Sequence, residues 1–211
     1  MQAEQMNSNA PPTFILSFTR SGSTLLRYII DTHPDICSPG ELRLGALCEM
    51  LMNVADCLSL GQIAHSSSAE GRTQRVYAEV NRVVSEWMSA YAQSKGKRFW
   101  CEKSPNNLSH LATLQNVFPD ARYICLHRNC MDVVQSSLEK TRTGYYVNHR
   151  YYAKNDNEVC VHVDAWVDNT SKLLAFERRN ADRCIRIRYE DLVRRPAATL
   201  QPVLITADIS R

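Results

Sequence analysis

Short apolar runs alternate along this chain with longer amphipathic stretches. The runs have the length and flanking turn residues of buried strands, and they cover residues 13–18, 99–101, 122–126 and 184–187. Between them, apolar residues recur at three- and four-residue steps, as on helices with one buried face. This spacing predicts helices over 23–32, after Pro39-Gly40, and over 71–94, 108–117, 131–140 and 161–179. The alternation predicts an α/β domain in which helices cover both faces of a parallel sheet.

Polar segments interrupt this pattern in three places. Residues 1–12 predict a disordered leader, so a single folded domain is expected to span residues 13–211. Residues 59–70 are rich in Ser and Gly and predict a loop. Residues 143–157, rich in Tyr, Asn and charged side chains, predict a surface loop.

The composition narrows the class of protein without specifying a ligand. A chain of 211 residues with 44% apolar side chains is long enough for one domain with its own core. The net charge of +3 is too small to indicate nucleic acid binding. No apolar run approaches the ~18 residues of a membrane span, and the N-terminus has no signal-peptide core, so we expect no membrane partner and a cytoplasmic location.

The eight cysteines form no CxxC pair and no cysteine–histidine cluster with the spacing of a zinc site. Two of them, Cys125 and Cys184, lie in apolar runs, where a free thiol behaves as a small hydrophobic group. We therefore expect reduced cysteines rather than a disulfide framework.

A candidate anion site lies where the first strand passes into the first helix, because a helix N-terminus offers free N–H groups and partial positive charge. In this turn Gly22 allows the backbone to approach a ligand closely. The turn also carries a forked cation and three hydroxyl groups, on Arg20, Ser21, Ser23 and Thr24. It is no Walker A loop, because Ser23 follows Gly22 where that loop has lysine. The same residues equally fit a helix that is simply capped.

Two further strand ends carry candidate ligands for the same crevice, because the carboxyl ends of parallel strands meet at one edge of a sheet. Arg128 follows the third run and can bind a phosphate through two hydrogen bonds, and Ser136 lies eight residues later on the next helix. Lys103 follows the second run. Taken alone, Arg128 is as well suited to pair with Asp132. Ser136 and Lys103 also fit ordinary surface positions.

Together these segments resemble the sulfotransferase family that uses 3′-phosphoadenosine 5′-phosphosulfate (PAPS). The resemblance extends from Thr13 to about Leu200. Residues 19–26 resemble the family's 5′-phosphosulfate loop, residues 124–136 its 3′-phosphate motif, and residues 188–192 its late strand-to-helix segment. The resemblance implies a three-layer, P-loop-like fold in which a parallel sheet is flanked by helices.

Residues 25–35 are similar to the branch that contains the protein-tyrosine sulfotransferases and their bacterial relatives. That branch places its catalytic base, a glutamate, 21 residues after the loop arginine. The corresponding residue here is Glu41, followed by Arg43, which the branch also carries. The histidine that many small-molecule sulfotransferases use is absent, because Pro105 follows Lys103-Ser104.

The resemblance implies a role for each candidate in a direct, in-line transfer. Glu41 would accept the proton of the acceptor hydroxyl, and Arg20 with Lys103 would neutralise charge on the leaving 5′-phosphate. The turn residues Ser21, Gly22, Ser23 and Thr24 would hold that phosphate. Arg128 and Ser136 would hold the 3′-phosphate, and Tyr189 would lie near the adenine, although it also fits a core tyrosine. The product would be 3′-phosphoadenosine 5′-phosphate (PAP), and no metal would be required.

The acceptor is expected to be a hydroxyl-bearing small molecule or a protein tyrosine. Residues 42–95 and the tyrosines at 145–146 and 151–152 are its expected walls. Two alternatives stay open. One is another P-loop-like enzyme, such as a nucleotide or small-molecule kinase. The other is a non-catalytic or truncated sulfotransferase-fold protein that binds a nucleotide or a partner, since the chain ends at Arg211, soon after the last segment with the family pattern.

Overall fold

A parallel five-stranded sheet forms the centre of the molecule. The computed structural model describes residues 11–60, 69–144, 149–153 and 157–206. The strand order across the sheet is β2-β3-β1-β4-β5, and each neighbouring pair is parallel. The strands are β1 (Thr13–Ser17), β2 (Ile36–Cys37), β3 (Phe99–Lys103), β4 (Arg122–His127) and β5 (Cys184–Arg188).

Helices connect the strands, as the alternating pattern predicts. In the described part of the chain they are α1 (Ser23–Asp31), α2 (Leu44–Leu60), α3 (Ala69–Ser94), α4 (Leu111–Val117), α5 (Cys130–Arg142), α6 (His149–Tyr152), α7 (Glu158–Arg179), α8 (Tyr189–Arg194) and α9 (Pro196–Thr206). A short 3-10 helix, Pro105–Ser109, follows β3. The expected α/β architecture with a parallel sheet flanked by helices is confirmed.

Apolar clusters cover both faces of the sheet. On one face Phe14 packs against the rings of Trp100, Phe118 and Tyr123, with centroids 5.8, 5.4 and 6.1 Å away. On the other face, Ile15 and Ile124 belong to the cluster that packs under α1 and α9. Because β1 is covered on both sides, its sequence is a continuous apolar run rather than an alternating one.

One strand has no counterpart among the predicted runs, and another extends two residues beyond its predicted end. The two-residue strand β2 is too short to give a periodic signal, and it pairs Ile36 with Phe99 at the edge of the sheet. Strand β3 continues beyond the apolar run through Glu102 and Lys103, which are both buried. The two charged residues ended the hydrophobic pattern in the sequence but not the strand.

The two predicted loops are partly wrong. Helix α2 extends to Leu60 and α3 begins at Ala69, while residues 61–68 lie outside the described part. Within 143–157 the structure has α6, where Tyr151 is buried and its hydroxyl bonds to Asp168 Oδ2 at 3.1 Å. Tyr151 therefore packs on α7 instead of lining an acceptor site. The predicted tyrosine wall at 145–146 and the leader residues 1–10 also lie outside the described part.

All eight cysteines are free thiols. Cys101 and Cys125 are buried in the inner strands. Burial raises the pKa of the Cys101 thiol, and the hydrogen bond with the Cys184 thiol, together with burial, raises the pKa of the Cys125 thiol. No helix among the described residues combines the length and the apolar character that a membrane crossing requires.

Removal of the Phe14 ring is expected to destabilise the domain severely. Phe14→Ala should lower the free energy of unfolding by about 3–5 kcal/mol, because the side chain is fully buried and contacts three other rings. Urea denaturation measures the change. As a control, Met131→Ala removes a side chain that is 67% exposed, and it should change the free energy of unfolding by about 0.5 kcal/mol or less.

Candidate functional site

The tips of the neighbouring strands β1 and β4 bring two candidate arginines together. Arg20 follows β1 and Arg128 follows β4, and these strands pair in register from Thr13–Arg122 to Ser17–Leu126. Arg128 Nη1 donates a hydrogen bond of 2.9 Å to the carbonyl oxygen of Arg20. The guanidinium of Arg128 therefore supports the backbone of the turn that follows β1.

The turn between β1 and α1 depends on left-handed backbone at two positions. Arg20 has φ 63° and Gly22, the N-cap of α1, has φ 88°. A Cβ atom at Gly22 would lie 2.3 Å from two ring carbons of Tyr189. Gly22 is therefore required both for its conformation and for the close approach of Tyr189 from the start of α8.

The side chain of Arg20 extends across the site to helix α5. Its Nε and Nη2 atoms donate hydrogen bonds of 3.1 and 3.0 Å to Ser136 Oγ. The sequence interpretation assigns Arg20 to the 5′-phosphate and Ser136 to the 3′-phosphate. In the structure these two groups are direct neighbours, so both anion-binding segments form one continuous donor surface.

Arg128 is fixed by stacking and packing. Its guanidinium carbon lies 4.2 Å from the centre of the Tyr189 ring, and its Nε is buried without a hydrogen-bond partner. Trp166 Nε1 donates to its carbonyl oxygen at 3.2 Å. Asn129 then caps α5 by accepting from Met131 N at 2.9 Å. Among the described residues, Arg128 contacts Arg20 and Tyr189 rather than the alternative partner Asp132.

A third pair of candidates meets at the end of β3. The Nζ atom of Lys103 is in a salt bridge with Glu41 and donates a hydrogen bond of 3.3 Å to Thr24 Oγ1. The side chain of Lys103 is 2% exposed, whereas that of Glu41 is 47% exposed. A buried ammonium group thus faces the turn on one side and a solvent-accessible carboxylate on the other, which excludes the alternative of a surface lysine.

Two of these groups, Arg20 and Glu41, line a cleft of about 460 Å³ at the carboxyl ends of the strands. The cleft is lined by Thr19, Arg20, Glu41, Arg43, Pro105, Asn106 and Lys140. Two arginines and a lysine surround one carboxylate, so the cleft suits an anionic ligand. A carboxylate and fixed cations thus line the same cleft, an arrangement that is chemically suited to proton removal beside a developing negative charge.

Two polar lining residues are not among the candidates predicted from the sequence: Asn106 and Lys140. Lys140 lies four residues after Ser136 and therefore on the same face of α5. Helical periodicity alone could have predicted that it lies near Ser136. Asn106 lies in the 3-10 helix after β3, and only the fold brings it to the cleft.

A larger cavity, of about 850 Å³, lies at the opposite end of the sheet. Its lining includes residues at the amino ends of the strands, among them Pro12, Arg122 and Arg183. Ligands of open α/β sheets bind at the carboxyl ends of strands, and all the paired candidate groups lie at that end. The smaller cleft is therefore the candidate active site. In the described part of the chain, no cluster of three or more His, Cys, Asp or Glu side chains is suited to hold a metal ion.

Comparison with known proteins gives consistent matches. The family model described as the sulfotransferase family matches residues 11–210. Protein-tyrosine sulfotransferase A from Caenorhabditis elegans is 26% identical over 212 residues, which are 96% of this chain and 51% of the relative. Nodulation protein NoeE from Sinorhizobium fredii is 29% identical over 214 residues, which are 90% of this chain and 48% of the relative. The chain thus spans about half the length of these two relatives.

The fold also matches a solved structure. The sulfotransferase domain from the olefin synthase of Synechococcus PCC 7002 superimposes with a TM-score of 0.62 and 25% sequence identity. The match covers 98% of this chain and 77% of that domain.

Substitution of Gly22 is expected to be destabilising through two separable effects. Gly22→Ala should cost about 1–3 kcal/mol from left-handed backbone, and more from the contact with the Tyr189 ring. Gly96→Ala isolates the first effect, since Gly96 has φ 68° and open space around it. In urea denaturation, Gly22→Ala should lower the free energy of unfolding more than Gly96→Ala does. In a chain that also carries Tyr189→Ala, the difference between the two losses should be smaller. Equal losses at the two glycines would contradict the steric role of Tyr189.

Proposed function

The chain belongs to the sulfotransferase family, and on this basis we propose that it transfers a sulfuryl group from PAPS to the hydroxyl group of an acceptor. The observation that carries this proposal is the cleft lined by Glu41 and Arg20, with the buried Lys103 in a salt bridge to Glu41. It combines a base, a buried cation and an anion-binding turn at one end of the sheet.

The proposed donor site uses the two linked anion-binding segments. The turn from Arg20 to Thr24 and the N-terminus of α1 bind the 5′-phosphosulfate, where backbone N–H groups and a guanidinium complement its charge. Arg128 and Ser136 bind the 3′-phosphate, the group that distinguishes PAPS from ATP. Tyr189 carries the stacked Arg128 guanidinium and borders the adenine.

In the proposed reaction Glu41 accepts the proton of the acceptor hydroxyl while the acceptor oxygen bonds to sulfur. The bond between sulfur and the bridging oxygen breaks, and the negative charge passes to the 5′-phosphate of PAP. Lys103 and Arg20 neutralise this charge, so catalysis depends on positioning and electrostatics. As the charge grows, the Lys103 ammonium shifts its hydrogen bond from Glu41 to the bridging oxygen, which leaves Glu41 free to hold the proton.

For the acceptor we propose a hydroxyl group of a small molecule or of a protein tyrosine. Relatives named protein-tyrosine sulfotransferase support the tyrosine class. Arg43, within the expected acceptor wall of residues 42–95, lines the cleft beside Glu41. The cytoplasmic location expected from the sequence stays a prediction.

Loss of the base is expected to separate catalysis from donor binding. Glu41→Gln should lower the transfer rate by roughly 100-fold or more, because the amide cannot accept the acceptor proton. PAP affinity should change little, since Glu41 is assigned to the acceptor side. Transfer of labelled sulfate to a library of hydroxyl compounds measures the rate, and calorimetry measures PAP binding. Unchanged turnover would remove Glu41 as the base.

Loss of Arg128 is expected to weaken PAP binding more than binding of 5′-AMP. Loss of the Arg128–Arg20 hydrogen bond can disturb the turn, and this would weaken the binding of both ligands. The difference between the two affinity losses therefore reports the contact with the 3′-phosphate alone. Arg128→Ala should lower PAP affinity about 10–100-fold relative to 5′-AMP, as for a lost charged hydrogen bond. Arg82→Ala, which removes the same charge on the exposed face of α3, is the control. Equal losses for both ligands would refute the assignment.

A thermal-shift comparison of the unsubstituted chain tests the kinase alternative. Stabilisation by ATP but not by PAP would favour a kinase.

A further inference from the structure

A buried carboxylate that the proposed reaction does not use lies next to Lys103. The side chain of Glu102 has no exposed surface. Successive residues of a strand point to opposite faces, so Glu102 and Lys103 leave β3 on opposite sides of the sheet. Lys103 reaches Glu41 from one side. Glu102 reaches the backbone of the same segment from the other.

Three donors surround the Glu102 carboxylate. Its Oε1 accepts from Leu42 N at 3.2 Å and from Ser104 Oγ at 2.5 Å, and its Oε2 accepts from Asn107 Nδ2 at 2.6 Å. An ionised carboxylate can accept all of these bonds at once. Burial raises the pKa of the Glu102 carboxyl, and the hydrogen bonds from Ser104 and Asn107 act in the opposite direction.

The partners of Glu102 extend this contact along the chain. Ser104 Oγ accepts from Arg43 N at 2.8 Å, and Asn107 Oδ1 accepts from Gly45 N at 3.1 Å. The backbone N–H groups of residues 42, 43 and 45 are therefore all bound by one buried cluster, Glu102, Ser104 and Asn107. The segment they hold, residues 41–45, begins with the proposed base.

This segment needs external support. Arg43 precedes α2 with φ 54°, a left-handed conformation that costs a non-glycine residue about 1–3 kcal/mol. Its side chain cannot accept a hydrogen bond from the first turn of α2, as a usual N-cap residue does. The Asn107 side chain takes this role at Gly45, and Glu102 holds Asn107 in place.

We propose that Glu102 is a positioning residue that, through Ser104 and Asn107, holds residues 41–45 so that the Glu41 carboxylate stays beside the Lys103 ammonium. This role rests on the proposed function, because it supplies the geometry of the base. It requires no contact between Glu102 and either substrate. Glu102 therefore affects the transfer rate and not the affinity for PAP.

Glu102→Gln tests this role with little change in volume. Whichever way the new amide is turned, one of its N–H groups faces a donor, or Asn107 must turn and present its own N–H to Gly45 N. In hydrogen exchange, the amides of Leu42, Arg43 and Gly45 should exchange roughly tenfold faster or more. The transfer rate should fall about 10–100-fold, as expected for a base displaced by a fraction of an ångström to one ångström. The PAP dissociation constant should change less than about twofold.

Two further variants separate positioning from general stability. Glu49→Gln removes a carboxylate on α2 that accepts from His110 and Thr113, and it should leave both the exchange of residues 42–45 and the transfer rate unchanged. In the double variant, Asn107→Asp combined with Glu102→Gln, the new carboxylate can accept from both the new amide and Gly45 N. It should restore the slow exchange and most of the rate.

The outcomes are distinct. Faster exchange with an unchanged transfer rate overturns the positioning role, and so does a rate loss that the double variant leaves uncorrected while exchange is restored. A wild-type chain that binds PAP and transfers sulfate to no acceptor contradicts the proposed function, whereas the exchange comparison still decides whether Glu102 holds residues 41–45.

Discussion

The parallel pairing of β1 with both β3 and β4 is the constraint on which the site depends. Because the three strands run in the same direction, their carboxyl ends lie side by side, and the residues that follow them share one edge. Arg20 and Lys103 are more than 80 positions apart along the chain, and Lys103 and Arg128 are more than 20 apart. All three nevertheless lie around one turn. The position of the cleft therefore follows from the direction of the strands.

The site also contains ionisable side chains at buried positions, where a charge is energetically unfavourable. Lys103 and Glu102 are adjacent and both buried, and an unpaired buried charge would cost several kcal/mol. Both groups have partners: Lys103 has Glu41 and Thr24, and Glu102 has three hydrogen-bond donors. The Lys103–Glu41 pair is only half-buried, since Glu41 is exposed to solvent, and such a pair adds little to stability compared with apolar packing. Stability alone therefore does not account for a buried lysine beside the cleft.

Residues 41–45 and the β1–α1 turn are supported in the same way, by hydrogen bonds from side chains of another segment. In both places a non-glycine residue, Arg43 or Arg20, has left-handed backbone next to a proposed catalytic group. Side chains from a neighbouring strand end hold each strained position, Ser104 in the first case and Arg128 in the second. In the proposed reaction, such supports would keep the proposed reacting groups in place before substrate binds, as electrostatic catalysis requires.

The class of the fold could be predicted from the sequence, because continuous apolar runs indicate strands buried on both faces and helical periodicity indicates the helices that cover them. The sequence also identified the loop residues from Arg20 to Thr24, Arg128 and Lys103 as candidates, since their positions after strands follow from the same pattern. Tertiary structure alone decided which of them touch. The contacts of Arg20 with Ser136, Arg128 with Arg20, Lys103 with Glu41 and Glu102 with Leu42 N all join segments far apart in the chain. Local periodicity carries no information about such contacts, because strand order and side-chain direction at strand ends are set by packing of the whole domain.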